Sequence, residues 1–97
     1  KVLELDPTQK SVLAKLGSAF IEKKKFDEAI TYFRRATVAE PENPLTWLNL
    51  AYAYKEVRKA PEAVTAFKTY LQKKPDAQNK KEIEDEIHYL TSERERQ

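Results

Sequence analysis

The sequence predicts an all-α protein in which antiparallel helix-turn-helix pairs stack as a short solenoid, closed by a capping helix at the C-terminal end. Apolar residues recur at helical spacing along most of the chain, and the same residue types return after 34 residues. Glycine, which tight β-turns favour, occurs once in 97 residues, while helix-forming Ala, Leu, Lys and Glu are abundant. A repeat of this length indicates stacked units that bury their apolar faces against one another.

The first pair of helices is predicted at residues 9–23 and 27–39. Residues 1–6 read as the end of an earlier helix that stops at Pro7, because proline cannot continue a helix. The basic run at 23–25 interrupts the apolar period, and so short a connection makes the two helices pack antiparallel. The apolar stripe of the first helix consists of Val12, Leu13, Leu16, Phe20 and Ile21.

The second pair is predicted at residues 45–57 and in the segment that begins at Pro61 and ends at Pro75. Asn43 suits the N-cap of the first of these helices and Pro44 suits its first position. Small residues are expected where the helices of a pair come closest, and aromatic residues between pairs. The small residues are Gly17, Ala29, Ala51 and Ala63; the aromatic residues are Phe20, Phe33, Tyr54 and Phe67.

Equivalent residues occupy equivalent positions in the two pairs, and the pattern resembles the tetratricopeptide repeat family, whose unit has about 34 residues. The matched positions are Leu16 and Leu50, Ala19 and Ala53, Ala29 and Ala63, Phe33 and Phe67, and Pro41 and Pro75. The resemblance implies repeats at 8–41 and 42–75, the tail of a preceding repeat at 1–7, and a right-handed solenoid. Tyr70 departs from the pattern, because a small residue is usual there, so we expect a different neighbour, such as a terminal helix.

A capping helix is predicted at residues 78–93. Ile83, Ile87 and Leu90 form one apolar stripe, and the opposite face is charged, as the end of a repeat array requires. Residues 94–97 are predicted to fray. The acidic run within this helix is interpreted as a solvated surface.

Composition narrows the possible functions. The chain has 18 basic and 16 acidic side chains, no cysteine and one histidine, His88. It lacks a Gly-rich phosphate loop and any apolar run approaching the ~20 residues that span a bilayer. We therefore expect no cofactor, no metal site, no active site, no nucleic-acid binding and no membrane insertion. The densest basic group, Lys23 to Lys25 with Arg34 and Arg35, is interpreted as a solvated convex surface without aromatic platforms nearby.

In the tetratricopeptide repeat family the first helix of each pair lines a concave face, so the resemblance implies which residues face that groove. Leu48 and Tyr52 are of most interest, because they are apolar and lie off the packing stripe. The alternative is that the cap helix or a further repeat covers them. The predicted partner-binding residues are Ser11, Lys15, Ser18, Leu45, Leu48, Asn49, Tyr52 and Lys81.

Some family members hold the C-terminal carboxylate of heat-shock chaperones in a clamp of Lys, Asn and Arg side chains. Here Asn49 matches the middle position and Lys81 could match one basic position. Ala14, Ser18 and Asp85 stand where the other donors would be. Because a carboxylate without paired donors is poorly held, we expect no clamp.

These observations predict a protein-interaction module that binds a partner peptide or segment in the concave groove, as part of a longer protein. Two alternatives stay open: a structural end-cap or spacer of a longer solenoid, and the non-catalytic arm of a larger enzyme. The partner is then another protein or the rest of a longer chain.

Overall fold

Five helices make up the described part of the molecule. The structure, a computed structural model, describes residues 7–95, and describes side chains for residues 12–92. Within that range there is no strand, so the predicted all-α class is confirmed. The helices are α1 (Pro7–Glu22), α2 (Phe26–Ala39), α3 (Pro44–Glu56), α4 (Ala60–Lys73) and α5 (Lys80–Glu95).

The helices pack in chain order. α1 packs against α2 and α3 against α4, which gives two hairpins. α2 packs against α3 and joins the hairpins, while α5 packs against α4 and ends the stack. The expected helix at residues 1–6 lies outside the described residues.

Both hairpins turn at a residue with positive φ. Lys24 has φ 60° and Arg58, its equivalent one repeat later, has φ 62°. The amide of Lys25 donates to the Phe20 carbonyl at 2.8 Å, and the amide of Lys59 donates to the Tyr54 carbonyl at 2.9 Å. This six-residue bond around a left-handed residue is the Schellman helix end, which satisfies carbonyls that the helix leaves free.

The turn between the hairpins is held by side chains. Asn43 Oδ1 accepts a hydrogen bond from the Leu45 amide at 3.1 Å, and Pro44 occupies the first turn of α3, so the predicted cap is confirmed. The indole nitrogen of Trp47 donates to the Pro41 carbonyl at 2.9 Å. Trp47 therefore fixes the inter-repeat turn to α3.

Small residues allow the helices of each hairpin to approach, as predicted. Ala29, Ala51 and Ala63 are fully buried. A Cβ placed on Gly17 would lie 2.6 Å from Cε1 of Phe33, which is itself buried. Gly17 is therefore required by close packing rather than by its backbone angles.

Part of the predicted apolar stripe on α1 is exposed instead of buried. Val12 is 41% and Leu16 38% exposed, whereas their repeat equivalents Thr46 and Leu50 on α3 are buried. α2 covers that face of α3. Among the described helices α1 packs only against α2 and α3, and neither covers the matching face of α1. Periodicity identifies a packing face but not whether a neighbour lies on it.

α5 docks through its predicted stripe, since Ile83 and Leu90 are buried and Ile87 packs at the edge of the same core. The helix continues through Arg94 and Glu95, two residues beyond the predicted end at residue 93, and the fraying of the tail stays a prediction. Glu and Arg are good helix formers, which explains the extension. Residues 96–97 lie outside the described part.

Candidate functional site

One stripe of α3 carries apolar side chains that remain partly or largely exposed. Leu45 is 60% and Tyr52 42% exposed, and both lie on the same side of the helix. Leu48 and Asn49 are half-buried at the edges of this stripe. The structure therefore places four of the predicted partner-binding residues together on one helix face.

α1 lies beside this stripe and contributes polar residues. Lys15 and Ser18 are exposed on α1, one helical turn apart, and α1 contacts α3. Ser11 lies one turn before Lys15 within α1, and its side chain is outside the described part. The apolar stripe therefore lies on α3, and the predicted polar residues lie on the helix that contacts it.

Tyr52 is the anchor of the stripe. Its ring meets the buried Phe67 ring edge-on, with centroids 5.1 Å apart and an interplanar angle of 87°. Burial raises the pKa of Tyr52 above its ordinary value of 10.0, and the nearby carboxylate of Glu86 raises it further. One side of the Tyr52 ring is therefore packed against Phe67, and the other side is exposed to solvent. A partly packed tyrosine offers both apolar area and a hydroxyl to a ligand.

α5 limits the stripe at the Tyr52 end. Lys55 Nζ lies 2.8 Å from Glu86 Oε1, and this hydrogen bond raises the pKa of Lys55 above 10.5 despite partial burial. Glu82 and Glu86 both act on Tyr52 electrostatically. The sequence analysis did not predict the Lys55–Glu86 ion pair. The available signal was the position of Glu86 directly before Ile87, because a residue beside the packing stripe of α5 lies near the helices on which α5 packs.

Lys81 is not among the residues that face Tyr52. Its ammonium lies 3.5 Å from the Asp85 carboxylate one turn along α5, and both side chains are largely exposed. His88 is also exposed. The α5 side chains that reach toward α3 are acidic, whereas the resemblance implied a basic Lys81 there.

Between residues 7 and 95 no group of three His, Cys, Asp or Glu residues is placed to hold a metal ion. No helix in the same range has both the length and the apolar character needed to cross a membrane.

A second concave surface lies between α2 and α4, with α3 as its floor. Its volume is about 740 Å³, and we call it the back groove. The expectation that the arginines of α2 have no aromatic residues nearby is wrong, because Trp47 and Tyr54 of α3 line the same groove. The lining of the back groove includes Arg34, Arg35, Trp47, Leu50, Tyr54 and Glu62.

Part of the chain is similar to a known protein family. Residues 17–57 match the family model described as TPR repeat, which spans the end of α1, all of α2 and all of α3. No curated protein matches the chain significantly. Sixteen chains of solved structures match. One is described as the first TPR of Spaghetti (RPAP3) bound to the HSP90 peptide SRMEEVD; it is 19% identical, aligns over 94% of this chain and 97% of that chain, and has a TM-score of 0.49.

Proposed function

We propose that this chain, which contains tetratricopeptide repeats, is a protein-interaction module that binds a peptide segment of a partner along α1 and α3. We further propose that the repeats run over 8–41 and 42–75, followed by a cap over 78–93, and that the chain has no active site of its own. The proposed face consists of Ser11, Lys15, Ser18, Leu45, Leu48, Asn49 and Tyr52, with Lys81 at its margin.

The exposed apolar pair on α3 is the observation that carries the proposal. Leu45 and Tyr52 lie two turns apart on one side of α3, and both stay exposed over a large part of their side chains, although one edge of the Tyr52 ring also contacts Phe67 of α4. Covering them removes apolar surface from water, which contributes roughly 25 cal/mol per Å² before the cost of ordering the peptide. A face of this size supports an affinity of roughly micromolar strength.

The chemistry of the face also suggests the kind of peptide. Apolar side chains of the partner would cover Leu45 and Tyr52, while the amide of Asn49 can bond to peptide backbone. Beyond Tyr52 the surface is acidic, because Lys55 is already paired with Glu86 and Glu82 is exposed. A basic side chain of the partner therefore fits this end better than an acidic one.

The same geometry argues against a carboxylate clamp. Ala14 and Ser18 on α1 carry no charge, and Asp85 on α5 is an exposed acid. A peptide such as SRMEEVD, held in the RPAP3 complex, brings acidic residues and a terminal carboxylate to a face that lacks paired donors for them. We propose that its binding here is at least about tenfold weaker than that of an apolar-basic peptide.

Selection from a displayed library of random peptides tests the proposal. We expect enriched peptides to combine apolar and basic residues and to lose affinity for a Leu45→Glu chain. Gln72→Glu is the matched control, because it adds the same charge at an exposed position on α4 that belongs neither to the α1 and α3 face nor to the lining of the back groove. Apolar-basic peptides that bind the Leu45→Glu chain as tightly as the original chain would contradict the proposal. A selection without any peptide above background would favour the spacer or end-cap role.

A further inference from the structure

We propose that the back groove is a second peptide-binding site, distinct from the α1 and α3 face, and that it takes an acidic segment carrying a bulky apolar side chain. The site is formed by three helices rather than two. α2 and α4 each pack on α3, but they do not pack against each other. The gap between them leaves a volume of about 740 Å³ open above α3.

The floor of the back groove is apolar. Trp47, Leu50 and Tyr54 supply it, all from α3. The indole N–H of Trp47 is already donated to the Pro41 carbonyl, so its ring offers surface without an unpaired donor. Val38 at the edge is 82% exposed, which extends the apolar area to the α2 wall. A large aliphatic or aromatic side chain fits this floor, since groove sites are anchored by such residues.

The α2 wall supplies positive charge. Arg34 and Arg35 line it, and among the described residues neither lies within salt-bridge distance of a carboxylate. Arg35 is positioned by the Tyr32 ring, with its guanidinium carbon 5.6 Å from the ring centroid. Unpaired guanidinium groups beside an apolar floor can bind a carboxylate through two parallel hydrogen bonds. An acidic residue of the peptide, next to its apolar anchor, would therefore complement the positive charge of this wall.

The opposite wall favours a peptide over a nucleic acid. Glu62 on α4 is the acidic member of the lining, with Pro61 and Thr65 beside it. A phosphate backbone bound across the groove would be attracted by the arginines of α2 but repelled by Glu62 of α4. The whole chain carries a net charge of only +2, which adds little attraction for a polyanion. A peptide can place one acid at α2 and a neutral or basic residue at α4.

Trp47 gives this site its own spectroscopic signal, because it is the single tryptophan of the chain and lies in the groove. The selection uses the Leu45→Glu chain, which silences the α1 and α3 face, and a tryptophan-free random peptide library. Binding of the enriched peptides is then followed by Trp47 emission. We expect acidic peptides with an aromatic or aliphatic anchor, and a shift of the Trp47 emission on binding.

Charge reversal at repeat-equivalent positions provides the decisive comparison. Arg34→Glu should weaken binding at least about tenfold. Lys68→Glu, which makes the same change one repeat later and outside the groove lining, should leave it unchanged. Thr65→Phe should block the groove without changing charge or adding a second tryptophan; the protein's fold is checked by circular dichroism in each case.

Several outcomes would overturn the assignment. One is equal loss with Lys68→Glu, which would indicate a general charge effect. Another is a selected set without acidic residues, or binding that leaves Trp47 emission unchanged. Tight binding of an oligothymidylate that Arg34→Glu abolishes would assign the groove to nucleic acid instead. Self-association that Thr65→Phe abolishes would assign it to a second copy of this chain. None of these outcomes bears on the α1 and α3 face, which Leu45→Glu tests separately.

Discussion

The hydroxyl of Tyr70 donates a hydrogen bond of 2.7 Å to Oδ1 of Asn79. Tyr70 is buried on α4, and Asn79 lies in the connection that leads into α5. This contact explains why a large residue stands where a small one is usual in the repeat. The tyrosine fills the space beside α4 and fixes the start of the cap helix, which in turn limits the α3 stripe at Tyr52.

Removing this hydrogen bond should loosen the cap helix. We expect Tyr70→Phe to lower the free energy of unfolding by about 1 kcal/mol, because one hydrogen bond is lost while the ring stays packed. Urea unfolding measures the global effect, and amide hydrogen exchange in α5 localises it. Thr69→Val, which removes a hydroxyl bonded only to the Thr65 carbonyl, is the control and should have a smaller effect on α5. Unchanged exchange in α5 for Tyr70→Phe would contradict the anchoring role.

The Lys55–Glu86 pair should make stability depend on pH in the alkaline range. The folded-state pKa of Lys55 is raised above 10.5 by its bond to Glu86, so the stabilisation is complete below pH 10.5 and is lost as pH rises through the raised value. The pKa of Tyr52 is raised above 10.0, mainly by burial, so the folded state resists its deprotonation and stability falls above pH 10.0 for the same reason.

Glu86→Gln tests this pH dependence. At pH 7 the substitution should cost at most about 1 kcal/mol, because the pair is partly exposed. Above pH 10 the gap between the two chains should narrow. Chemical denaturation at a series of pH values gives both quantities, and an NMR titration of the assigned Tyr52 ring should show its pKa falling in Glu86→Gln. If the difference in stability between the two chains widens with rising pH, the proposed role of the Lys55–Glu86 pair is contradicted.

Gly17 should not tolerate even a methyl group. Gly17→Ala places Cβ against the buried Phe33 ring, and we expect a net loss of about 1–2 kcal/mol although alanine is the better helix former. Ser18→Ala, at an exposed neighbouring position, should be neutral or slightly stabilising. Thermal unfolding followed by circular dichroism measures both. If Gly17→Ala is as stable as Ser18→Ala, the close approach of α1 and α2 is incorrect.

The two hairpin turns should accept glycine. Lys24 and Arg58 have positive φ, a conformation that costs an L-residue roughly 1–2 kcal/mol. Glycine removes this strain, but part of the gain is lost because glycine makes the unfolded chain more flexible. We expect Lys24→Gly and Arg58→Gly each to raise the free energy of unfolding by up to about 1 kcal/mol. Alanine at the same positions keeps the strain and should give no gain. Lower stability with glycine at both positions would contradict the left-handed turns.

The hairpin core was predictable from sequence because its determinants are local and repeated. Ala29 and Ala63 are fully buried, as expected from their recurrence. The exposure of Leu16 was not predictable, since a periodic pattern does not reveal which neighbours are present.

The site was predictable only in part. The stripe of Leu45 and Tyr52 follows from helical geometry within one helix. The Lys55–Glu86 pair and the back groove depend on the angles between helices that are distant in sequence. Trp47 lines the same groove as the arginines of α2 only because α3 packs beneath both α2 and α4, and no local pattern records that arrangement.

The most direct test of the proposed α1 and α3 face is to map where a selected apolar-basic peptide binds. Amide chemical shifts of the isotope-labelled chain would be recorded during titration with the peptide. The account predicts the largest changes on α3 around Leu45, Asn49 and Tyr52, with smaller changes around Lys15 and Ser18 on α1. Changes confined to α2 and α4, or saturable binding that leaves the α3 amides unmoved, would contradict it.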